Sequence, residues 1–537
     1  MFHFMPSFFK NQKKQKNSHT ANDSNSCVES SLEANRQYIA RKMGDSSDIV
    51  VRHLKLGLNL EIEVAIIYIE GIVDNQSIQD SLIDSITKEP SKTNVTVNNA
   101  LDVISKSIVT TDDLSVINKW EDVFLSLTAG DTIILVDGIN KVLSASTAGG
   151  ETRAISESTT EMVVRGPKAA FTESIGVNLA MVRRIIKSPD LWTESLKIGR
   201  ITKTKVNLMY INGVVKEEII QEVRNRLKEI DIDSILESGY IEQFIEDQTL
   251  TPFPTVYNTE RPDVVAGNLL EGRIAIFVDG TPFVLIVPAV FTQFFQSPED
   301  YYARFDIATS IRLLRVFMFL ISLTAPAIYV AATTFHQEMV PTTLIVAIAA
   351  QREAVPFPAF IEALLMELTF EILREAGIRL PKAIGSAVSI VGALVIGQAA
   401  VQASIVSPAM VIVVSITAIA SFATPAFDMA ISARLIRFLF MLGAATFGFY
   451  GIILVLLLMI VHLCSLRSFG IPYMAPFAPF IPSENRDTVI RSPWRSLRKR
   501  PRLVSDNLVR EENEKSGPPT GRNMKKNVSQ EGDNSES

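Results

Sequence analysis

A chain of 537 residues with 47% hydrophobic residues is long enough for about three domains, and a net charge of −6 argues against nucleic-acid binding. Its mean hydropathy is positive although much of the chain is polar, so the apolar excess is concentrated in the second half. Only Cys27 and Cys464 are present, which gives no disulfide framework.

In chain order, the opening stretch MFHFMPSFFKNQKKQKNSHTANDSNS puts aromatics before lysines and lacks an apolar core of signal-peptide length. Membrane insertion would then start at the first true apolar run, near Val316, leaving everything before it on the cytoplasmic side. Residues 1–35 read as a disordered polar tail.

The front half contains an internal repeat. Val64–Val73 (VAIIYIEGIV) matches Val206–Val215 (VNLMYINGVV), and Gly130–Gly138 (GDTIILVDG) matches Gly272–Gly280 (GRIAIFVDG). Tyr68 to Tyr210 and Asp137 to Asp279 share one offset, 210 − 68 = 142 residues, which points to a tandem duplication. Each copy is predicted as strand, helix, helix and hairpin, with helices over Ser77–Ile86 and Glu217–Ile230. Asp137-Gly138 and Asp279-Gly280 are hairpin-turn dipeptides, so these carboxylates are read as turn chemistry and not as catalysts. The predicted units are an α/β lobe over 36–160, a linker helix region over 161–200 and a second α/β lobe over 201–300. In the linker, Ile175, Leu179, Val182 and Ile186 form a helical stripe flanked by Arg183, Arg184 and Lys187. That pattern suits a partner, acidic headgroups or a solvated face.

An α-helical polytopic membrane domain of four or five spans is predicted over 301–470. Val316–Thr334, Ala383–Ser404, Pro408–Phe422 and Phe438–Cys464 are apolar over about a bilayer's thickness. Arg304, Arg312 and Arg315 at the first entrance fit a cytoplasmic front half. Pro326 interrupts the first span and frees a carbonyl that needs another partner. Gly385, Ser389, Ala393 and Gly397 make a small-residue stripe for helix packing, with Gln398 and Gln402 on a neighbouring face. Pro356–Gly377 reads as a helix with Glu367, Glu371 and Glu375 on one face and Glu362 close by. A carboxylate row at membrane depth makes Glu362, Glu367 and Glu371, with Gln398 and Gln402, a candidate ion pathway, and in a symmetric oligomer the row would form acidic rings. The alternative is pairing with Arg374, Arg379 or Lys382. Topology is in conflict: the basic tail Arg491–Arg502 favours four crossings, whereas Arg434 and Arg437 would then lie on the far side. Residues 471–537 read as a Pro-rich, then basic, mostly disordered tail.

No phosphate loop, dinucleotide fingerprint, nucleophile elbow or zinc-spaced histidine set occurs, so an enzyme, a cofactor and a metal are not expected.

The runs ESGYIEQFIED (Glu237–Asp247), TERPDVVAGNLLEGRIAIFVDGTPFVL (Thr259–Leu285), QSPEDYYARF (Gln296–Phe305), VPFPAFIEALLMELTFEILREAGIRLP (Val355–Pro381) and SIVGALVIGQAAVQASIVSPAMVIVVSITAIASF (Ser389–Phe422) resemble the A subunit of GerA-type spore germinant receptors. The resemblance covers roughly Glu61 to Arg502. It implies a multi-pass protein of the spore inner membrane that acts with a permease-like B subunit and a lipoprotein C subunit. It further implies a homo-oligomeric ring in the lipid bilayer that conducts monovalent cations to trigger germination. A non-conducting scaffold, or the A-like subunit that amplifies dipicolinate release, are the alternatives.

Overall fold

The computed structural model describes residues 27–56, 62–83, 96–97, 99–107, 114–150, 158, 160–379 and 395–510. The first lobe contains α1 (Leu32–Lys42), β1 (Ile49–Leu56), β2 (Ile62–Ile69), α2 (Ala100–Ser107), β3 (Leu114–Ile117), α3 (Trp120–Ala129), β4 (Thr132–Val136) and β5 (Val142–Ala145). Its sheet is antiparallel in the order β1-β2-β4-β5-β3. The apolar runs of β2, β4 and β5 are buried almost throughout, as short continuous apolar strands should be. β1 is an edge strand with polar residues exposed.

The second lobe repeats this plan. It comprises α4 (Ile175–Ile185), β6 (Leu191–Ile198), β7 (Thr204–Ile211), α5 (Glu217–Glu229), α6 (Ser238–Ile245), β8 (Tyr257–Thr259), α7 (Pro262–Leu270), β9 (Ile274–Val278) and β10 (Val284–Val287). Its sheet order is β6-β7-β9-β10-β8. The duplication extends to single hydrogen bonds. Asp137 Oδ1 accepts from Leu32 N at 3.0 Å, and Asp279 Oδ1 accepts from Ile175 N at 3.3 Å. The Asn35 amide donates to the Glu29 carbonyl, and the Asn178 amide donates to that of Thr172. The turn aspartates thus cap a helix that is distant in sequence. Gly138 and Gly280 follow them at φ +85° and +90°.

The bonds and the element order correct four expectations. The helix expected in a linker over 161–200 is the second lobe's copy of α1, and β6 belongs to that lobe's sheet. Residues 27–35, assigned to the disordered tail, begin the first lobe. Each copy also carries two strands that apolar runs do not mark, β1 and β3 or β6 and β8. Of the expected helix Ser77–Ile86, a single α-turn (Asn75–Ser77) and a π-helical turn (Ile78–Ile83) are seen, and its end lies outside the described residues.

The lobes meet through reciprocal ion pairs. Arg183 at the end of α4 binds Asp48 ahead of β1 through two bonds of 2.5 and 2.8 Å, both groups being buried. Lys42 at the end of α1 binds Asp190 ahead of β6 at 3.1 Å. The Trp192 ring lies against Gly44, which has φ +65°, and any Cβ there would overlap the indole. The arginine stripe of α4 therefore serves lobe–lobe contact and not lipid headgroups.

The helical layer follows: α8 (Phe305–Thr334), α9 (Thr342–Arg352), α10 (Ala359–Arg379), helical residues 395–402, α11 (Pro408–Ser421) and α12 (Phe427–Ser465). Two of these, α8 and α12, are long and apolar enough to cross a membrane. α12 is not one rod. Gly448 has φ +63° and ψ −139°, and Gly443 and Gly451 touch backbone to backbone, although eight residues of helix would hold them about 12 Å apart. The arms are antiparallel, and both outer ends sit on the second lobe. Asp428 accepts from Asn258 at 2.6 Å, and His462 bonds Thr251 at 2.9 Å. The arms of 21 and 17 residues are about 31 and 26 Å long, each close to a hydrocarbon thickness.

The tail expected to be disordered from 471 is packed on the second lobe as far as 510. Phe469 and Val504 enter that lobe's core, Phe291 N donates to the Tyr473 carbonyl, and Ser505 pairs with Val215. Consequently Arg434, on the lobe end of α12, and the basic stretch Arg491–Arg502 lie at the same end of the helical layer. The conflict in topology arose from counting α12 as one span.

Spin labels at Phe427 and Ser465 are expected under about 25 Å apart by dipolar spectroscopy. A straight helix of this length would separate them by about 57 Å.

Candidate functional site

The helical layer turns its charges inward. Pro326 lies within α8 and has no N–H, so the Ser322 carbonyl one turn earlier loses its helical donor. Arg437 of α12 supplies one, its Nε donating to Ser322 O at 2.6 Å. Its Nη1 donates to Glu367 Oε2 of α10 at 2.5 Å. Both side chains are 3% exposed. A single guanidinium thus ties three helices together.

Glu362 is fully buried nearer the far end of the layer. Its Oε2 accepts from Ser407 N at 3.0 Å and from Ser407 Oγ at 2.8 Å, and Oε1 faces Arg352 Nε at 3.2 Å. Ser407 is the N-cap of α11, so the carboxylate meets the positive end of a helix dipole. Glu371, 46% exposed, contacts Arg374 and faces Arg434 at 3.5 Å. Glu375 pairs with Arg379 at the surface. Leu365, Leu368 and Ile372 of the same helix point outward.

The expected acidic row is therefore divided. Glu362 and Glu367 brace the subunit internally and do not form a free row with Glu371; their partners come from distant helices that helical spacing does not reveal. Gln398 and Gln402 are exposed, and Gly397 is buried beside Val411. The remaining stripe residues, Gly385, Ser389 and Ala393, lie outside the described residues. The Glu371–Arg374 and Glu375–Arg379 pairs follow the pairing alternative.

A second charge network joins lobe to helix. Asp300 receives Arg312 Nε at 2.7 Å and Arg315 Nη1 at 2.9 Å. Arg312 also reaches Asp487 of the returning tail at 2.9 Å, and Tyr301 donates to the same carboxylate. Arg312 and Arg315 are visible in the sequence as charges at a span entrance. Asp487, 175 residues away, carries no local signal.

A cleft of about 570 Å3 opens between α6 and the first turn of α12, lined by Glu242, Glu246, Asp428 and Ser432 among others. Burial, then the charges of Asp428, Glu246 and Glu237, push Glu242 up to about 8.

A family model described as Bacillus/Clostridium GerA spore germination protein matches residues 37–503. The chain is 57% identical to Spore germination protein KA of Bacillus subtilis (strain 168), over 94% of this chain and 93% of that protein. It is 45% identical to the uncharacterized membrane protein YfkQ of the same organism, over 89% of this chain and 92% of the other. A solved N-terminal domain of the A subunit of the Bacillus megaterium spore germinant receptor GerK3 is 58% identical, covering 50% of this chain and 98% of that one, with a TM-score of 0.41.

Arg437→Met strands the Ser322 carbonyl and the Glu367 carboxylate together. It is expected to cost about 3–5 kcal/mol, read as a lowered unfolding midpoint in detergent, with Arg437→Lys less damaging. Glu242 binds its proton more tightly folded than unfolded. Stability is thus expected to fall as pH rises from about 4.5 to about 8, and Glu242→Gln should flatten that slope in unfolding measured across this range.

Proposed function

The chain belongs to the Bacillus/Clostridium GerA spore germination protein family, and from that membership we propose that it is the A subunit of a nutrient germinant receptor in the spore inner membrane. The observation that carries the membrane reading is the inverted polarity of the helical layer. Glu362, Glu367 and Arg437 are inside, while Phe317, Leu320, Ile412, Ile416, Leu439 and Leu457 face outward. In water that surface would be an aggregation liability; in lipid it is the solvated face. A relative of similar length is named a membrane protein. The arms of α12, together with α8, α10 and α11, would cross as a multi-pass bundle. The lobes and the tail lie on the side with the basic residues, the cytoplasmic side by the positive-inside rule.

In this reading the chain assembles with a permease-like B subunit and a lipoprotein C subunit, and copies of it form a ring that conducts monovalent cations. Internal pairing occupies Glu362 and Glu367, so the ion path is assigned to the exposed polar groups Glu371, Gln398 and Gln402. The neutralising contacts of Glu371 with Arg374 and Arg434 favour a second reading, a scaffold that holds the partners without conducting.

Purified chain in potassium-loaded vesicles is expected to release potassium, and Glu371→Gln combined with Gln402→Leu to slow release several-fold with assembly unchanged. Assembled rings that leave the vesicles tight would establish the scaffold instead. Spores lacking only this gene are expected to lose potassium release to one nutrient class; slowed release to every nutrient would indicate the dipicolinate-amplifying role.

A further inference from the structure

A cavity of about 720 Å3 lies between α7 and the returning tail, on the second lobe. That is a volume typical of small-molecule pockets. One wall is built around Asn268. Its amide donates to the Val264 carbonyl at 2.8 Å, and its Oδ1 accepts from both Arg273 Nη1 at 2.6 Å and Gln293 Nε2 at 3.1 Å. With the oxygen of Asn268 doubly used, Arg273 Nε and Gln293 Oε1 are left buried without a hydrogen-bond partner among the described residues. Gln293 is 5% exposed.

The carboxylates of the same wall are already engaged. Glu271 contacts Arg510, Asp263 binds Arg261 and Tyr302, and Asp487 binds Arg312 and Tyr301. Arg273 makes no ion pair among the described residues, and burial holds its guanidinium below its ordinary value. A half-buried guanidinium with a sealed, unpaired Nε and no carboxylate in contact among the described residues, beside a buried carbonyl oxygen with no donor, is a costly arrangement. A ligand bearing an anion and a donor would relieve both deficits.

We propose that this cavity binds a small organic anion that also carries an O–H or N–H donor. The anion faces Arg273, the donor faces Gln293 Oε1, and the apolar body rests on Val264, Val290 and Leu497. Tyr301 and Asp487 belong both to the cavity wall and to the network that holds Arg312 at the head of α8, so the ligand sits one side chain from the helical layer. The site does not depend on whether the helices conduct.

The test is calorimetry on the full chain in detergent with 4-hydroxybenzoate, which has a carboxylate, an apolar ring and an O–H donor. Saturable binding is expected. Arg273→Met should weaken it at least tenfold, as should replacing the probe by 4-hydroxybenzyl alcohol, and Gln293→Leu should weaken it several-fold. Unfolding curves report whether the variants fold, and Arg273→Lys, which keeps the charge, should bind between the two extremes. Absence of saturable binding by 4-hydroxybenzoate and by inorganic phosphate up to about 10 mM overturns the proposal. So does unchanged binding in folded Arg273→Met, or equal binding of the uncharged alcohol.

Discussion

Arg437 sets the constraint that the helical layer is built around. A proline inside α8 removes the donor of a carbonyl on a fully buried residue, Ser322, and an arginine on α12 supplies another. The guanidinium then needs a counter-charge, which Glu367 brings from α10. Each group would be costly alone, and together they fix the relative depth of three helices. The neighbouring Glu362–Ser407 contact fixes a fourth in the same way, because a helix N-terminus attracts a carboxylate.

The lobes are organised by a different logic. Their sheets share one order and one set of capping bonds, and at the junction the matching aspartates Asp48 and Asp190 each pair with a basic residue in the last turn of the other copy's helix. The first lobe keeps a core of its own, to which only Ala180 of the joining helix contributes from beyond it. The second lobe shares a continuous apolar core with the helices, from Phe277 and Phe294 through Phe319 to Phe440. Motion of the second lobe relative to the helical layer therefore means repacking of that core, whereas the first lobe is attached through a compact polar junction.

The duplication was legible because buried strands preserve their apolar runs, and the turn dipeptides survive at one offset. The helix at Ile175–Ile185 was legible as a helix but not as part of a lobe, since its cap, Asp279, is 104 residues away. Pro326 correctly announced a carbonyl in need of a donor, yet nothing local pointed to Arg437. The acidic row illustrates the limit of periodicity: spacing places Glu367 and Glu371 on one face but does not say what covers that face. Folding at Gly448 was hidden for a similar reason, since a glycine within a long apolar run resembles any other small packing residue until its backbone angles are known.

The return of the chain to the second lobe has a consequence for biosynthesis. Phe469 and Val504 are translated after every helix of the apolar layer, yet they complete a core begun with β7 and α5. That lobe therefore stays unfinished at the ribosome until the helices have been made and the chain has come back to it. A chain whose last arm fails to return to the lobe leaves hydrophobic surface uncovered on it, the kind of defect that proteolytic quality control recognises. The architecture thereby makes completion of the second lobe's core conditional on correct folding of the helical layer that precedes it.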